Sequence, residues 1–166
     1  MTNSFTARAL RTVTAAALAA LALASCTPGT AAVVNGGTSS ATSLHAEEAR
    51  LVDLLNAERG AAGLAPLAVH GGAVTVARSW AGELARVGRL AHNPDLAGQV
   101  SRYVTGAWVR IGENVGTGAD SDSLHGAFMA SPGHRANVLN GEYDYVGVGL
   151  VRTGPTIWVS IVFVAV

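Results

Sequence analysis

Three titratable residues stand outside any apolar periodicity: His92, Glu113 and His134. Each is 21 residues from the next, so each must come from a different structural element. Two imidazoles and a carboxylate are common ligands for Zn²⁺ or another divalent cation, and three ligands leave positions open for water. A metal held this way could activate that water, with Glu113 as third ligand or as general base. Each residue also has a plainer reading. A histidine is often a hydrogen-bonded structural residue, and Glu113 could accept backbone N–H groups in a turn. Only convergence in space would raise the set above that, and a sequence does not display convergence. His45 at a segment boundary, His70 in a loop and His125 on a short helix read as solvated or structural. No nucleophile elbow G-x-S-x-G, H-E-x-x-H pair, phosphate loop or G-x-G-x-x-G run is present.

The elements that must position these residues follow from apolar spacing. Glu47 to about Ala62 reads as a helix, with Ser43 as its cap and Glu47 and Glu48 favoured by the dipole at its start. Ala73, Val76, Ala77, Trp80, Ala81, Leu84 and Val87 form the inner stripe of a second helix that Gly88 stops. His92 lies just past that stop. Leu90 to Ala107 shows no clean period and reads as irregular. Trp108 to Val115 reads as a strand carrying Glu113. Asp120 and Ser121 can cap a third helix with Leu124, Ala127 and Phe128 inward. Ser131-Pro132 opens a short helix to Leu139 whose first turn holds His134. Tyr145–Val151 and Thr156–Val164 are strands joined at Arg152–Pro155. Helices first and strands last, without βαβ alternation, predict an α+β fold.

Composition narrows the partners. The 166 residues carry 11 cations, all Arg, against 11 acids. That balance argues against a nucleic-acid binder, which needs a basic stripe. Hydrophobic residues at 49% exclude a disordered chain. One cysteine, Cys26, excludes an internal disulfide and a cysteine zinc site. Arg8 and Arg11 precede an apolar run, Val13–Ala24, too short to span a bilayer and suited to a secretory signal. It ends in Leu23-Ala24-Ser25-Cys26, which resembles a bacterial lipobox and predicts lipidation at Cys26. Residues 1–25 are therefore expected to be a signal peptide. Their removal leaves 9 Arg against 11 acids, a net charge near −2. Residues 26–43 are rich in Thr, Ser, Gly and Ala and read as a flexible tether. Residues 44–166 are then the folded domain.

Five motifs in order resemble the bacterial CAP (SCP) domain, of the superfamily that holds cysteine-rich secretory proteins, antigen 5 and plant pathogenesis-related 1 proteins. They are Leu55-Asn56-Ala57-Glu58-Arg59 with Gly63-Leu64-Ala65-Pro66-Leu67, Leu90-Ala91-His92 after the Trp80 helix, Gly112-Glu113-Asn114-Val115, Ser131-Pro132-Gly133-His134-Arg135-Ala136-Asn137-Val138-Leu139, and Tyr145-Val146-Gly147-Val148-Gly149. The resemblance covers about residues 46–166. It implies an α-β-α sandwich, with a small antiparallel sheet between helical layers. It also implies a cleft with two His and up to two Glu that in several members binds a divalent cation. Carried over by motif, these are His92, His134 and Glu113. Three departures matter. The second Glu of many members would fall at Ser131, the Ser that often follows the first His is Asn93, and the disulfides of eukaryotic members are absent. Asn56, Arg59, Asn114 and Asn137 are expected to tie the layers together by buried hydrogen bonds.

Three functions follow from different classes. The favoured one is an exported, lipid-anchored surface module that binds a small-molecule, lipid or cell-wall ligand beside a cation cleft. The second is a metal-dependent hydrolase using His92, His134 and Glu113. The third is a scaffold whose polar cluster is structural only. Fold resemblance does not choose among them.

Overall fold

The structure, a computed structural model, describes residues 45–166. The expected signal peptide, Cys26, the tether and the Ser43 cap lie outside those residues. The described elements run α1 (Ala46–Ala61), β1 (Ala68–Val69), α2 (Gly71–Val87), α3 (Leu96–Tyr103), β2 (Arg110–Gly118), α4 (Ser121–Ala130), α5 (Pro132–Val138), β3 (Tyr145–Thr153) and β4 (Thr156–Ala165). The fold is α+β, as expected. The sheet order is β1-β3-β4-β2. β3 and β2 both pair antiparallel with β4, whereas the two-residue β1 pairs parallel with β3. The three long strands are antiparallel as expected, and the short β1 adds a parallel pair that makes the sheet mixed.

Strand alternation sorts the core onto two faces. Val146 and Val148 of β3 and Ile157, Val159, Ile161 and Phe163 of β4 pack with Leu51 and Leu55 of α1, Leu124 and Phe128 of α4, and Val138 of α5. Val162 and Val164 face the other way, onto Ala73, Val76 and Ala77 of α2 and Val100 of α3. Helical layers thus cover both faces of the sheet. On the second face β3 offers Gly147 and Gly149. A Cβ on Gly147 would fall 2.1 Å from the Ala73 carbonyl carbon, and one on Gly149 would fall 2.1 Å from the Arg78 nitrogen. Real side-chain atoms do not fit there, so α2 rests with its backbone directly on the strand.

Local chemistry sets the boundaries. The α1 cap is His45, whose backbone N–H donates to the Glu48 carboxylate at 2.9 Å. His70 caps α2, its Nδ1 accepting from the Gly72 N–H, and its ring meets Tyr145 edge to face. Gly88 ends α2 at φ 68°, a left-handed position that favours glycine, with its N–H on the Leu84 carbonyl. Four expectations need correction. The cap of α1 is His45 rather than Ser43. Ala127 of α4 is exposed rather than inward. Val87 leaves the inner stripe and is 48% exposed. The segment read as irregular contains α3, whose Leu96 and Val100, with Val104 just past its end, recur every four residues and dock on the α2 face. Asp120 accepts from the Ser123 N–H and caps α4.

Candidate functional site

The site forms at β2, an edge strand, because an edge is open to elements from both layers. His92 arrives from the α2 side. The Trp80 indole N–H donates to the Ala91 carbonyl at 2.9 Å, which fixes the loop one residue before it. Glu113 lies in β2, opposite Val162 of β4. His134 comes from the opposite layer, in the first turn of α5. Two asparagines fasten α5 to β2. Asn114 Nδ2 donates to the His134 carbonyl at 3.0 Å, and Asn137 Nδ2 donates to the Glu113 carbonyl at 3.2 Å and to Asn114 Oδ1 at 2.8 Å. Each amide is spent on backbone or on its fellow amide, which fixes the place of His134 relative to the strand.

Glu113 is the centre of the polar cluster. Its side chain is 3% exposed, whereas that of His92 is 68% exposed. Oε2 meets His92 Nδ1 at 2.9 Å and accepts the Asn93 backbone N–H at 2.9 Å. Oε1 accepts the buried Ser160 hydroxyl at 3.1 Å. Asn93 is itself fixed, with Oδ1 accepting the Asp95 N–H and Nδ2 donating to Gln99 of α3. Both carboxylate oxygens are thus engaged by protein donors. With these bonds Glu113 holds the His92 ring from behind.

The His134 ring sits half-buried, edge to face with Phe128 at 5.0 Å between centroids. Burial, and after it the nearby charge of His92, holds its imidazole below the ordinary histidine range. A ring kept neutral has a lone pair to offer. Beside it runs an open groove of about 240 Å³, lined by Leu90, Val115, Leu124, Phe128 and Ser131 among others. Ser131, where many members carry the second Glu, brings no carboxylate to this wall.

Among the described residues, no three His, Cys, Asp or Glu side chains stand together as a ready metal-ligand group. Imidazole nitrogens are donors of the kind a divalent cation takes. His92 turns Nδ1 to a carboxylate, which leaves Nε2 for an ion, and such a carboxylate–histidine pair is the usual support of a ligating ring.

The remaining polar residues do other work. Asn56 exchanges two hydrogen bonds with the Leu67 backbone, at 2.8 and 3.1 Å. Arg59, fully buried, donates to the carbonyls of Ala65, Val138, Asn140 and Tyr143. Its burial lowers its pKa from the usual arginine value. His125 is buried between α4 and α1, with Nε2 3.6 Å from Glu58 and Nδ1 lacking a hydrogen-bond partner among the described residues.

Sequence reasoning missed two buried groups. Ser160 lies in a strand that reads as continuous apolar sequence. Glu48, read only as a charge at a helix start, binds Arg78 of α2 at 2.9 and 2.5 Å and accepts the Leu150 N–H of β3. A polar residue inside a run of Val and Ile, as at Ser160, is the signal that could have found the first.

The sandwich, the edge-strand cluster and the motif order define one class of protein. The profile of the cysteine-rich secretory protein family (CAP) matches residues 52–164, and the chain belongs to that family. It is 32% identical over 157 residues to the uncharacterized protein YkwD of Bacillus subtilis, covering 92% of this chain and 61% of that one. The chain thus spans about three fifths of that relative's length. An extracellular protein containing a SCP domain from Bacillus anthracis superposes with a TM-score of 0.64 at 25% identity, over 72% of this chain and 40% of that one. An outer surface protein of Borrelia burgdorferi gives a TM-score of 0.65 over 72% of this chain and 92% of that one. At 17% identity, that likeness is one of fold.

Proposed function

We propose that the chain is an exported, lipid-anchored CAP module that binds a ligand at the β2 edge beside a divalent cation held by His92 and His134. The observation that carries this reading is the 2.9 Å contact between Glu113 Oε2 and His92 Nδ1, which orients an exposed imidazole with its other nitrogen outward. His134, held neutral beside it, supplies the second nitrogen. The ion, Zn²⁺ or a similar cation, would supply a positive centre with positions open to water or to an anionic group of the ligand. The groove beside His134 suits the apolar part of a small-molecule, lipid or cell-wall ligand. Support for export comes from the apolar run Val13–Ala24 and from the extracellular nature of the Bacillus anthracis neighbour.

Titration calorimetry of zinc into the full chain, His92→Ala and His134→Ala tests the cation. Each variant is expected to bind at least about 10-fold more weakly, the scale on which support of a metal site is felt. Equal binding by all three proteins would reduce the cluster to a structural one. For the anchor, Cys26→Ser is expected to move the protein out of the membrane fraction or to block its processing. A diacylated cysteine carries the paired chains that stable anchoring takes. Unchanged membrane association of that variant would remove lipidation from the reading.

A further inference from the structure

Ser160 is a hydroxyl in an unexpected place. It lies in β4, in the run Ile157-Trp158-Val159-Ser160-Ile161-Val162-Phe163, and is fully buried. Its register partners are Val115 of β2 and Gly149 of β3. A buried hydroxyl without a partner costs about 1–3 kcal/mol, and an alanine would fill the same space without that hazard. The hydroxyl does have a partner, Glu113 Oε1, at 3.1 Å. The other oxygen of that carboxylate takes the Asn93 N–H and faces His92 Nδ1.

We propose that Ser160 is a positioning residue: through Glu113 it fixes His92 as the Nδ1–H tautomer, with the Nε2 lone pair directed outward as a ligand. An ionised carboxylate accepts hydrogen bonds and donates none. The ring nitrogen facing it must therefore carry the proton, and a neutral imidazole with a proton on Nδ1 has its free lone pair on Nε2. That outcome depends on the carboxylate holding one orientation. The Ser160 hydroxyl grips one oxygen and the Asn93 N–H grips the other, so the group has no freedom to rotate away from the ring. Both gripping donors are buried. Exposed as it is, His92 would otherwise sample both tautomers and several ring orientations. The cluster reads as a relay of orientation across the sheet, from β4 to β2 to the loop after α2. The outward lone pair takes on a role only with the cation reading proposed above, and in that sense the inference rests on it.

Two measurements on the full chain test it separately. Nitrogen-detected NMR of the His92 ring near pH 8 reports the tautomer without any metal. The wild type is expected to show Nδ1–H, and an Nε2–H ring in the wild type would overturn the proposal with no variant needed. Ser160→Ala is expected to lose that preference and to bind zinc about 10-fold more weakly. Ser160→Thr keeps the hydroxyl and is expected to restore both. A folded Ser160→Ala protein with unchanged tautomer and unchanged zinc binding would also overturn it. If the tautomer changes as expected while even the wild type takes no zinc, the positioning role stands and the cation reading falls.

Discussion

The molecule buries two glutamates almost completely, and it treats them in opposite ways. Glu48 is 1% exposed and faces a permanent cation, the Arg78 guanidinium. Its carboxylate also accepts N–H groups from His45 and Leu150, so one side chain joins α1, α2 and β3. Burial alone would raise its pKa. The Arg78 hydrogen bonds, the His45 N–H and the Arg78 charge together outweigh burial and hold it below the usual glutamate value. Among the described residues, Glu113 has no arginine as a hydrogen-bond partner. It is held by a backbone N–H, a hydroxyl and an imidazole that is itself largely in solvent. A carboxylate matched to a fixed cation and closed off is a staple. One matched to a backbone N–H, a hydroxyl and an exposed ring orients that ring instead of joining elements of the core.

The contrast can be broken most forcefully at the staple. Glu48→Gln removes the buried negative charge that faces the Arg78 guanidinium. Losses of about 3–5 kcal/mol are typical for fully buried pairs, and Arg78 keeps a third of its side chain in solvent. About 3 kcal/mol of destabilisation is therefore expected in urea unfolding, with no change in zinc binding by the folded fraction. Glu113→Gln should reverse that ranking. It keeps the shape and strands no cation, so about 1–2 kcal/mol of stability should go, while zinc affinity drops about 10- to 100-fold. Equal stability losses for the two variants would show that the two carboxylates are alike.

Acid sharpens the comparison further. The Glu48 pKa is lowered on folding from 4.5, so its contribution is complete above that value and disappears as pH falls through the folded pKa. Wild-type stability should decline below about pH 4.5, and Glu48→Gln should flatten that decline. His134 gives a smaller effect at higher pH. Its folded pKa lies below 6.5, so the unfolded chain takes up its proton first and the fold loses stability as pH falls through that value. His134→Asn should remove this slope, by less than about 1 kcal/mol between about pH 7 and 5. Smallest of all is the exposed pair Arg50–Asp122, where Arg50→Ala should leave the urea midpoint almost unmoved, as surface ion pairs usually do.

The same two residues mark what a sequence can and cannot disclose. The elements around Glu113 were legible because their signals are local. The α2 stripe, the Gly88 stop, the Ser131-Pro132 helix start and the two final strands each occupy a few adjacent positions. The identities of His92, Glu113 and His134 followed from motif order, and their elements from spacing. Glu48 was legible only as a charge at a helix start, because its partner lies 30 residues away on another helix. Helix α3 escaped because eight residues hold barely two turns, with Gly98 inside them. β1 escaped because two residues carry no periodicity at all. Glu113 drew attention as a ligand, yet the donors that turn it toward His92 come from a strand 47 residues on and from a loop 20 residues back. Pairings of that range leave no trace in local pattern.

The placement of β4 carries a last consequence. It follows every other described element in the chain, yet it lies inside the sheet, between β3 and β2. β2 pairs with it and with no other described strand. While a ribosome is still making residues 156–165, no described strand joins β2 to β3, and Glu113 lacks its Ser160 anchor. The domain therefore cannot close segment by segment during synthesis. Its folding waits for long-range pairing, which is slow to find. The cluster of polar groups around Glu113 is thus complete only once the last described strand has paired.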